Sequence, residues 1–285
     1  MFDVNYDFFL IENNFKEIEE VKSEKIQGDT SSKLPLVSIV IPTYKRVSTL
    51  RETLDSAIRQ TGNHNYEILV VDNNPERGDE TELLMAEYVS VKNLLYFKNT
   101  ANIGMAGNWS RCSELAHGEW VVLIHDDDLL VNNYLDEIEP CLINCVDGLF
   151  VCPKTFIDGE PLPTLNNSER MEIMKITLMY QYLFPILCAS GNALRKSKIL
   201  EYGGYTSKTY APDFFFSKMV YYSNVYMTNK SLIYYRKGLN ESTKTEVMDK
   251  LNYINHYFRI QNFQRIGIPL YLINIIMPYS DILFE

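Results

Sequence analysis

Continuous apolar runs, rather than alternating ones, punctuate the first half of the chain. LVSIVIP (36–42), YEILVVD (66–72) and EWVVLIHDDD (119–128) hold Val, Ile and Leu at successive positions, and LLYFKN (94–99) adds a shorter run. Successive side chains of a strand point to opposite faces, so a run that is apolar at every position is buried on both. The stretches between have another period. Leu50, Leu54 and Ile58 share one helical face within 48–61, and 79–90 and 104–118 also fit helices, the last stopped by Gly118. Doubly buried strands alternating with helices predict a mostly parallel α/β sheet flanked by helices.

The alternation fades after about residue 130. NNYLDEIEPCLINC reads as a helix, GLFVCP as a strand and 154–168 as a loop. A Met- and Tyr-rich stretch, 171–194, precedes a short helix in RKSKILEYGGY that Gly203 and Gly204 stop. DFFFSKMVYYS reads as a helix, and NVYMTN and SLIYYRK as two strands. The predicted division is an N-terminal extension and linker over 1–33, a main domain over 34–240 with halves 34–135 and 136–240, and a helical apolar tail over 241–285. Within the extension, Phe8, Leu10, Ile11, Phe15 and Ile18 fit the apolar face of an amphipathic helix, and 22–33 reads as a polar linker. The tail starts with Val247, Leu251, Ile254 and Phe258 in register and ends in IPLYLINIIMPYSDILF. It packs on its own domain, on a second copy in a homo-oligomer, or on a membrane surface.

Charge narrows the partners. The formal net charge of -10 is a poor match for a nucleic acid backbone, so no nucleic acid partner is expected. A bound phosphate would need a local device: a few basic groups, a helix N-terminus or a metal. The five cysteines, Cys112, Cys141, Cys145, Cys152 and Cys188, lie mostly in apolar runs and read as core thiols of a reducing compartment. Cys141, Cys145 and Cys152 lack the paired spacing of a zinc site. The N-terminus has no basic region or small-residue cleavage site, and no stretch reaches the roughly 18 apolar residues of a membrane span. A cytoplasmic protein is expected, with peripheral contact at the inner face of the membrane left open.

Ligands of open α/β sheets bind beyond the carboxyl ends of the strands. Three such ends carry chemistry here: Pro42-Thr43-Tyr44-Lys45-Arg46, Asp72-Asn73-Asn74 and His125-Asp126-Asp127-Asp128. Adjacent carboxylates at about 5 Å repel by about 3 kcal/mol at an effective dielectric near 20, before relaxation and screening. A divalent cation relieves this, and hard cations prefer carboxylate oxygens. The plain alternative is a solvated acidic turn capping the next helix. Asp72 could equally start a simple turn, while Asn73 and Asn74 carry amides suited to a base or ribose edge. Lys45 and Arg46 meet a phosphate or are surface charges.

Taken together, SIVIPTYKR, EILVVDNN, NIGMAGNWSRC and WVVLIHDDDLL resemble the family 2 glycosyltransferases with the GT-A fold, in order and spacing more than in any one motif. The likeness covers roughly 36–236. It implies a nucleotide-sugar donor, a Mn or Mg ion, and inversion at the anomeric carbon. Matched position by position, Pro42, Thr43, Tyr44 and Arg46, with Asn102 and Met105, would bind the donor, and Asp72 and Asn73 would face its base. Asp126 would sit near the ribose or donor sugar and Asp128 would ligate the metal, with Asp127 able to exchange roles with Asp128. Asp213, in GGYTSKTYAPDFFFSK, matches the catalytic base, although a helix N-cap is its ordinary alternative. Ser190, Gly191 and Asn192 would border the acceptor, a glycan, glycolipid or glycoprotein. Loop 154–168 and the Tyr-rich 202–222 would help to recognise it.

The chain departs from the pattern in places. Asn73 stands where the family often has a second acid, which bears on the nucleobase: UDP comes first, with dTDP or GDP as alternatives. Pro212 stands where Glu often precedes the base. A QxxRW motif is absent, against a processive synthase. Of the rivals, a sugar nucleotidyltransferase would want a basic Gly-rich phosphate loop, and a dinucleotide oxidoreductase GxGxxG after the first strand; PTYKR is neither. A degenerate glycosyltransferase-like scaffold or chaperone would have little use for Asp126, Asp128 and Asp213 together.

Overall fold

In the computed structural model, the described residues are 2–29, 33–145, 147–165, 170–183, 188–238, 245–269 and 272. Eighteen helices and strands order them. The first is β1 (Ser23–Gln27), followed by β2 (Val37–Thr43), α1 (Val47–Ile58), β3 (Tyr66–Asp72), α2 (Glu80–Ala86), β4 (Leu94–Asn99), α3 (Gly104–Leu115) and β5 (Trp120–Leu123). Then come β6 (Leu129–Leu130), α4 (Tyr134–Leu142), β7 (Gly148–Ile157), β8 (Ile173–Lys175), α5 (Leu178–Leu183), β9 (Asn192–Arg195), α6 (Lys196–Glu201), α7 (Phe215–Tyr222), β10 (Val225–Lys237) and α8 (Thr245–Arg265). The strands form one sheet, ordered β1-β4-β3-β2-β5-β9-β7-β10-β6, with β8 beside β10.

The parallel α/β core follows the sequence closely. β4, β3, β2 and β5 run parallel. Alternate residues of each strand feed two cores: Ile39, Ile41, Ile68 and Val70 pack with Leu50 and Leu54 of α1 on one face. Val40, Leu69 and Val71 pack with Ala106, Trp109 and Cys112 of α3 on the other. Burying each such side chain is worth about 1.5–3 kcal/mol, which is why the runs contain no polar alternation. The chain passes outward from β2 to β4 and returns to β5 on the other side of β2, so a topological switch point opens at the carboxyl ends of β2 and β5. In the second half β9 pairs antiparallel with both β5 and β7, joining the two halves into one sheet.

Several expectations are corrected. The amphipathic helix expected over 1–21 is absent from the described residues 2–21: turns lead to a 3-10 turn at Asn14–Glu17, and Leu10 and Ile11 are exposed while Phe8, Phe9 and Ile18 are buried. Tertiary partners override the helical spacing. Asn14 Nδ2 donates to the carbonyls of Gly203 and Gly204, Arg111 donates to those of Ile18 and Val21, and Gln261 exchanges hydrogen bonds with the backbone of Tyr6 and Phe8. The linker expected over 22–33 instead contributes β1, which covers the outer edge of β4. β7 runs on to Ile157, so 154–157 is strand rather than loop. The two strands expected in 224–237 are a single one, β10, whose register shifts between Met227 and Ile233. The expected tail helix is present as α8; most of IPLYLINIIMPYSDILF lies outside the described residues. Among the described residues no helix is long and apolar enough to cross a membrane, and all five cysteines are free.

Gly203 fastens the N-terminal segment. Its φ is +81°, and a Cβ there would stand 1.7 Å from the carbonyl oxygen of Glu12. Gly203→Ala is expected to cost at least about 1–3 kcal/mol and to expose residues 2–22 to protease. An unchanged melting temperature with an unchanged digestion pattern would show that this contact does not hold the segment.

Candidate functional site at the sheet switch point

Thr43 ends β2 and Ile124 follows β5, so the switch point brings the PTYKR segment against the acid triplet. Asp126, Asp127 and Asp128 are not a solvated turn: their exposures are 6%, 2% and 0%. Asp126 is fully engaged, taking the Thr43 hydroxyl on Oδ2 at 2.8 Å and Arg46 on Oδ1 at 3.3 Å. Arg46 also pairs with Asp127 Oδ2 at 2.9 Å. Its charge is therefore spent on the triplet, where a phosphate contact was one expectation. Lys45, at φ 55°, is an exposed surface charge 3.9 Å from Glu76.

Asp128 differs from its neighbours. Its Oδ1 accepts the backbone N–H of Arg236 at 2.9 Å. Its Oδ2 is buried and has no hydrogen-bond partner. The Ser190 hydroxyl lies near enough to draw the Asp128 pKa down, yet it makes no hydrogen bond to that oxygen. The His125 ring stands 3.5 Å away through Nδ1, again without a hydrogen bond. Burial, with the charge of Asp127, pushes the Asp128 carboxyl up to about 8; burial, against the pull of Arg46, lifts Asp126 to about 6. Native proteins rarely leave a buried carboxylate oxygen unpaired. A cation is the partner whose chemistry fits, because His125, Asp127 and Asp128 bring ligand atoms within 4.8 Å of one another.

The β3 end is built for support. Asp72 has no exposed surface, and it accepts hydrogen bonds from Lys98 Nζ at 2.6 Å, Tyr96 OH at 3.0 Å and Asn74 N at 2.8 Å. Burial raises its pKa in spite of Lys98. Asn73 donates to Asn102 Oδ1 and the Gly104 carbonyl, and accepts from Asn99 and the Ile103 N–H. Both residues were expected to face a base; here Asn73 braces the turn that leads into α3, and Asp72 ties the end of β3 to β4. Pro42 is buried in β2. Tyr44 and Met105, 45% and 53% exposed, and Asn102 are the donor candidates left at the surface.

Asp213 lies in a 3-10 turn, Pro212–Phe214, that runs into α7, and it caps neither. Its Oδ1 instead accepts the Ala189 N–H at 3.2 Å. Burial pushes this carboxyl up to about 7, the range of a working general base. Ser190, Gly191 and Asn192, expected at the acceptor, are all buried and hold the triplet from behind. Ser190 Oγ accepts the His125 N–H, Gly191 bonds to Leu123 and Tyr134, and Asn192 bonds to Val151 and Cys188. At Gly191, φ +78°, a Cβ would stand 2.3 Å from Ile233. Beside Pro212 opens a cleft of about 260 Å³, lined by Met105, Tyr205, Ser207 and Tyr210 as well and closed by Asn14, Glu17 and Ile18. Tyr210 projects there from a left-handed backbone, φ 62°.

Sequence reasoning missed three contributors. Arg236 holds both the Asp128 carboxylate and the Asp127 carbonyl from β10, over a hundred residues away, and no local pattern marks it. Lys98 reads as an ordinary strand residue. His125 stood within the quoted motif, and its place beside the triplet was the available signal.

Comparison with known proteins agrees with this geometry. The glycosyl transferase family 2 model matches residues 38–203. An uncharacterized glycosyltransferase of Methanocaldococcus jannaschii is 27% identical over 104 residues, 36% of each chain. The chain thus spans about a third of the length of such curated relatives. The crystal structure of S. aureus TarS residues 1–349 in complex with UDP-GlcNAc superposes with a TM-score of 0.61 at 17% identity, covering 80% of this chain and 72% of that one. The mannosyltransferase PcManGT from Pyrobaculum calidifontis, in complex with GDP-Man and Mn2+, gives 0.54 at 17% identity over 88% and 66%. The expected GT-A architecture is borne out. With the model match covering more than half of its residues, the chain belongs to glycosyl transferase family 2.

Proposed function

We propose that the protein transfers a hexose from a UDP-sugar to a hydroxyl of a glycan acceptor, with inversion, using Mn or Mg bound at Asp128. The observation that carries this reading is the buried, unpartnered Oδ2 of Asp128 at the sheet switch point. Asp127 and Asp128 would hold the cation, while Asp126, tied to Thr43 and Arg46, fixes the turn. When bound, such an ion offsets the charge that grows on a departing nucleoside diphosphate. The TarS and PcManGT complexes, with UDP-GlcNAc in one and GDP-Man and Mn2+ in the other, support a nucleotide-sugar donor on this fold.

The chain's own residues account for the rest. Tyr44, Asn102 and Met105 present donor-facing surface, and Asp72 and Asn73 keep that surface in register. Asp213 accepts the proton of the acceptor hydroxyl as its oxygen attacks the anomeric carbon from the side opposite the leaving group. One base suffices for this single displacement. The cleft beside Pro212 suits a sugar: Tyr210 offers an aromatic face, and Glu17 and Ser207 offer hydrogen-bonding groups. A glycan of a surface polysaccharide, glycolipid or glycoprotein is the acceptor class we assign to it.

The test is nucleotide diphosphate release from a panel of UDP-, dTDP- and GDP-sugars, with Mn, with Mg and with EDTA. One donor is expected to turn over, with loss of turnover in EDTA and a decrease of about 10²-fold or more in Asp128→Asn. No turnover with any donor, together with no metal-dependent thermal shift on adding UDP, dTDP or GDP, would sink the proposal and favour a non-catalytic scaffold.

A further inference from the structure

We infer that His125 is a nitrogen ligand of the cation site, so that the site binds Mn2+ in preference to Mg2+. This rests on the reading of Asp128 as a metal ligand and adds to it a residue outside the acid triplet.

Three observations converge on His125. First, the ring faces the orphaned oxygen: Nδ1 stands 3.5 Å from Asp128 Oδ2 and makes no hydrogen bond to it. That gap is too long for a good hydrogen bond. It does match the spacing of two ligand atoms on one ion: bonds of about 2.1 Å place neighbouring ligands about 3–3.7 Å apart. Second, the ring is held in place. It stacks on Trp109 with centroids 5.2 Å apart and planes 30° from parallel, and its backbone N–H is fixed by Ser190 Oγ at 3.1 Å. Ligands positioned this way lose little freedom when an ion binds. Third, the other partners are spoken for. Asp126 is occupied by Thr43 and Arg46, and Asp128 Oδ1 by Arg236 N; Asp128 Oδ2, a carboxylate oxygen of Asp127 (which also pairs with Arg46) and an imidazole nitrogen lie within 4.8 Å of one another.

The imidazole sets the preference. Mg2+ demands oxygen ligands in near-ideal octahedral geometry and keeps its waters; a nitrogen ligand adds affinity along the first-row series, least for Mn2+, which otherwise shares the oxygen preference of Mg2+. A site of carboxylates alone would discriminate little between Mg2+ and Mn2+. Adding one nitrogen raises affinity for Mn2+ and leaves Mg2+ nearly unaffected.

The experiment is pulsed electron paramagnetic resonance on the full chain loaded with Mn2+ alone, without nucleotide. The wild-type spectrum is expected to show nitrogen coupling to the manganese, and histidine-specific ¹⁵N labelling should change it from a ¹⁴N to a ¹⁵N pattern. The chain has four histidines, so His125→Ala identifies the source: the coupling should vanish and Mn2+ affinity fall by about tenfold or more. Mg2+ affinity, from competition, should change by less than about threefold. Bound Mn2+ without nitrogen coupling in the wild type, or coupling that survives His125→Ala, overturns the inference while leaving Asp128 as a ligand. Failure of Mn2+ to bind, or binding unaffected by Asp128→Asn, overturns both. The labelled wild-type spectrum decides the matter even where the alanine variant folds poorly.

Discussion

Asp213→Asn is expected to lower sugar transfer by about 10²–10⁴-fold, the range supplied by a positioned general base, and at pH 8 to make the protein more stable. The two effects share one cause. Burial holds the Asp213 carboxyl near pKa 7, against 3.8 for the free group. The folded state therefore keeps a proton that the unfolded chain has released. Stability falls as pH rises from about 4, and the full penalty is present once pH passes about 7. Three pKa units correspond to about 4 kcal/mol; because Asp213 keeps some surface, about half of that is the realistic share. Asparagine has no charge to desolvate, so the variant escapes the penalty and should melt several degrees higher at pH 8. The difference should shrink toward zero at pH 4. Donor binding should be little changed, since Asp213 is assigned to the acceptor proton. In the wild type, kcat/KM should fall about tenfold per pH unit below pH 7, as the base becomes protonated. Weakened donor binding in the variant, or a flat pH profile between 5 and 7, would remove Asp213 from this role.

The largest loss of stability is expected at Lys98. Its ammonium is 2% exposed and bridges Asp72 at 2.6 Å and Asp79 at 3.0 Å. Lys98→Met removes the counter-charge while leaving the Asp72 carboxylate with no access to water. Breaking a buried pair from one side costs about 3–5 kcal/mol, most of it the penalty of the stranded partner. The Lys98→Met, Asp72→Asn double variant should recover a large part of the loss, because it strands no charge. Urea unfolding of the four proteins measures the coupling directly. A single-variant loss under about 1 kcal/mol would show that this triad does not organise the β3 end.

The parallel core was legible because its signal is local: a strand buried on both faces must be apolar at consecutive positions, as LVSIVIP and YEILVVD are. The acid triplet and Asp213 were legible as residue types at strand and helix ends. Their partners were not. Arg236, Ser190 and Gly191 act across distances of 57 residues and more, and no period in the sequence reports such contacts. The extension misled for a related reason. Phe8, Phe15 and Ile18 do repeat at helical intervals, but Arg111 and Gln261 bond that backbone from other elements and Asn14 ties the segment to Gly203 and Gly204, so no helix is needed. Asn73 shows a subtler limit. A polar residue after a strand suggests a ligand contact, yet its amide is consumed in fastening the loop before α3.

The docking of the N-terminal segment has a consequence for synthesis. Tyr6 and Phe8 pair with Gln261 on α8, some 253 residues downstream. At about 5–20 residues per second, these residues wait roughly 10–50 s for the element that completes their seat. During that interval Phe2, Tyr6, Phe8 and Phe9, which end together against Phe214 and Phe258, are an uncovered apolar segment of a growing chain. Ribosome-bound chaperones would meet it there, before its seat on α8 is made.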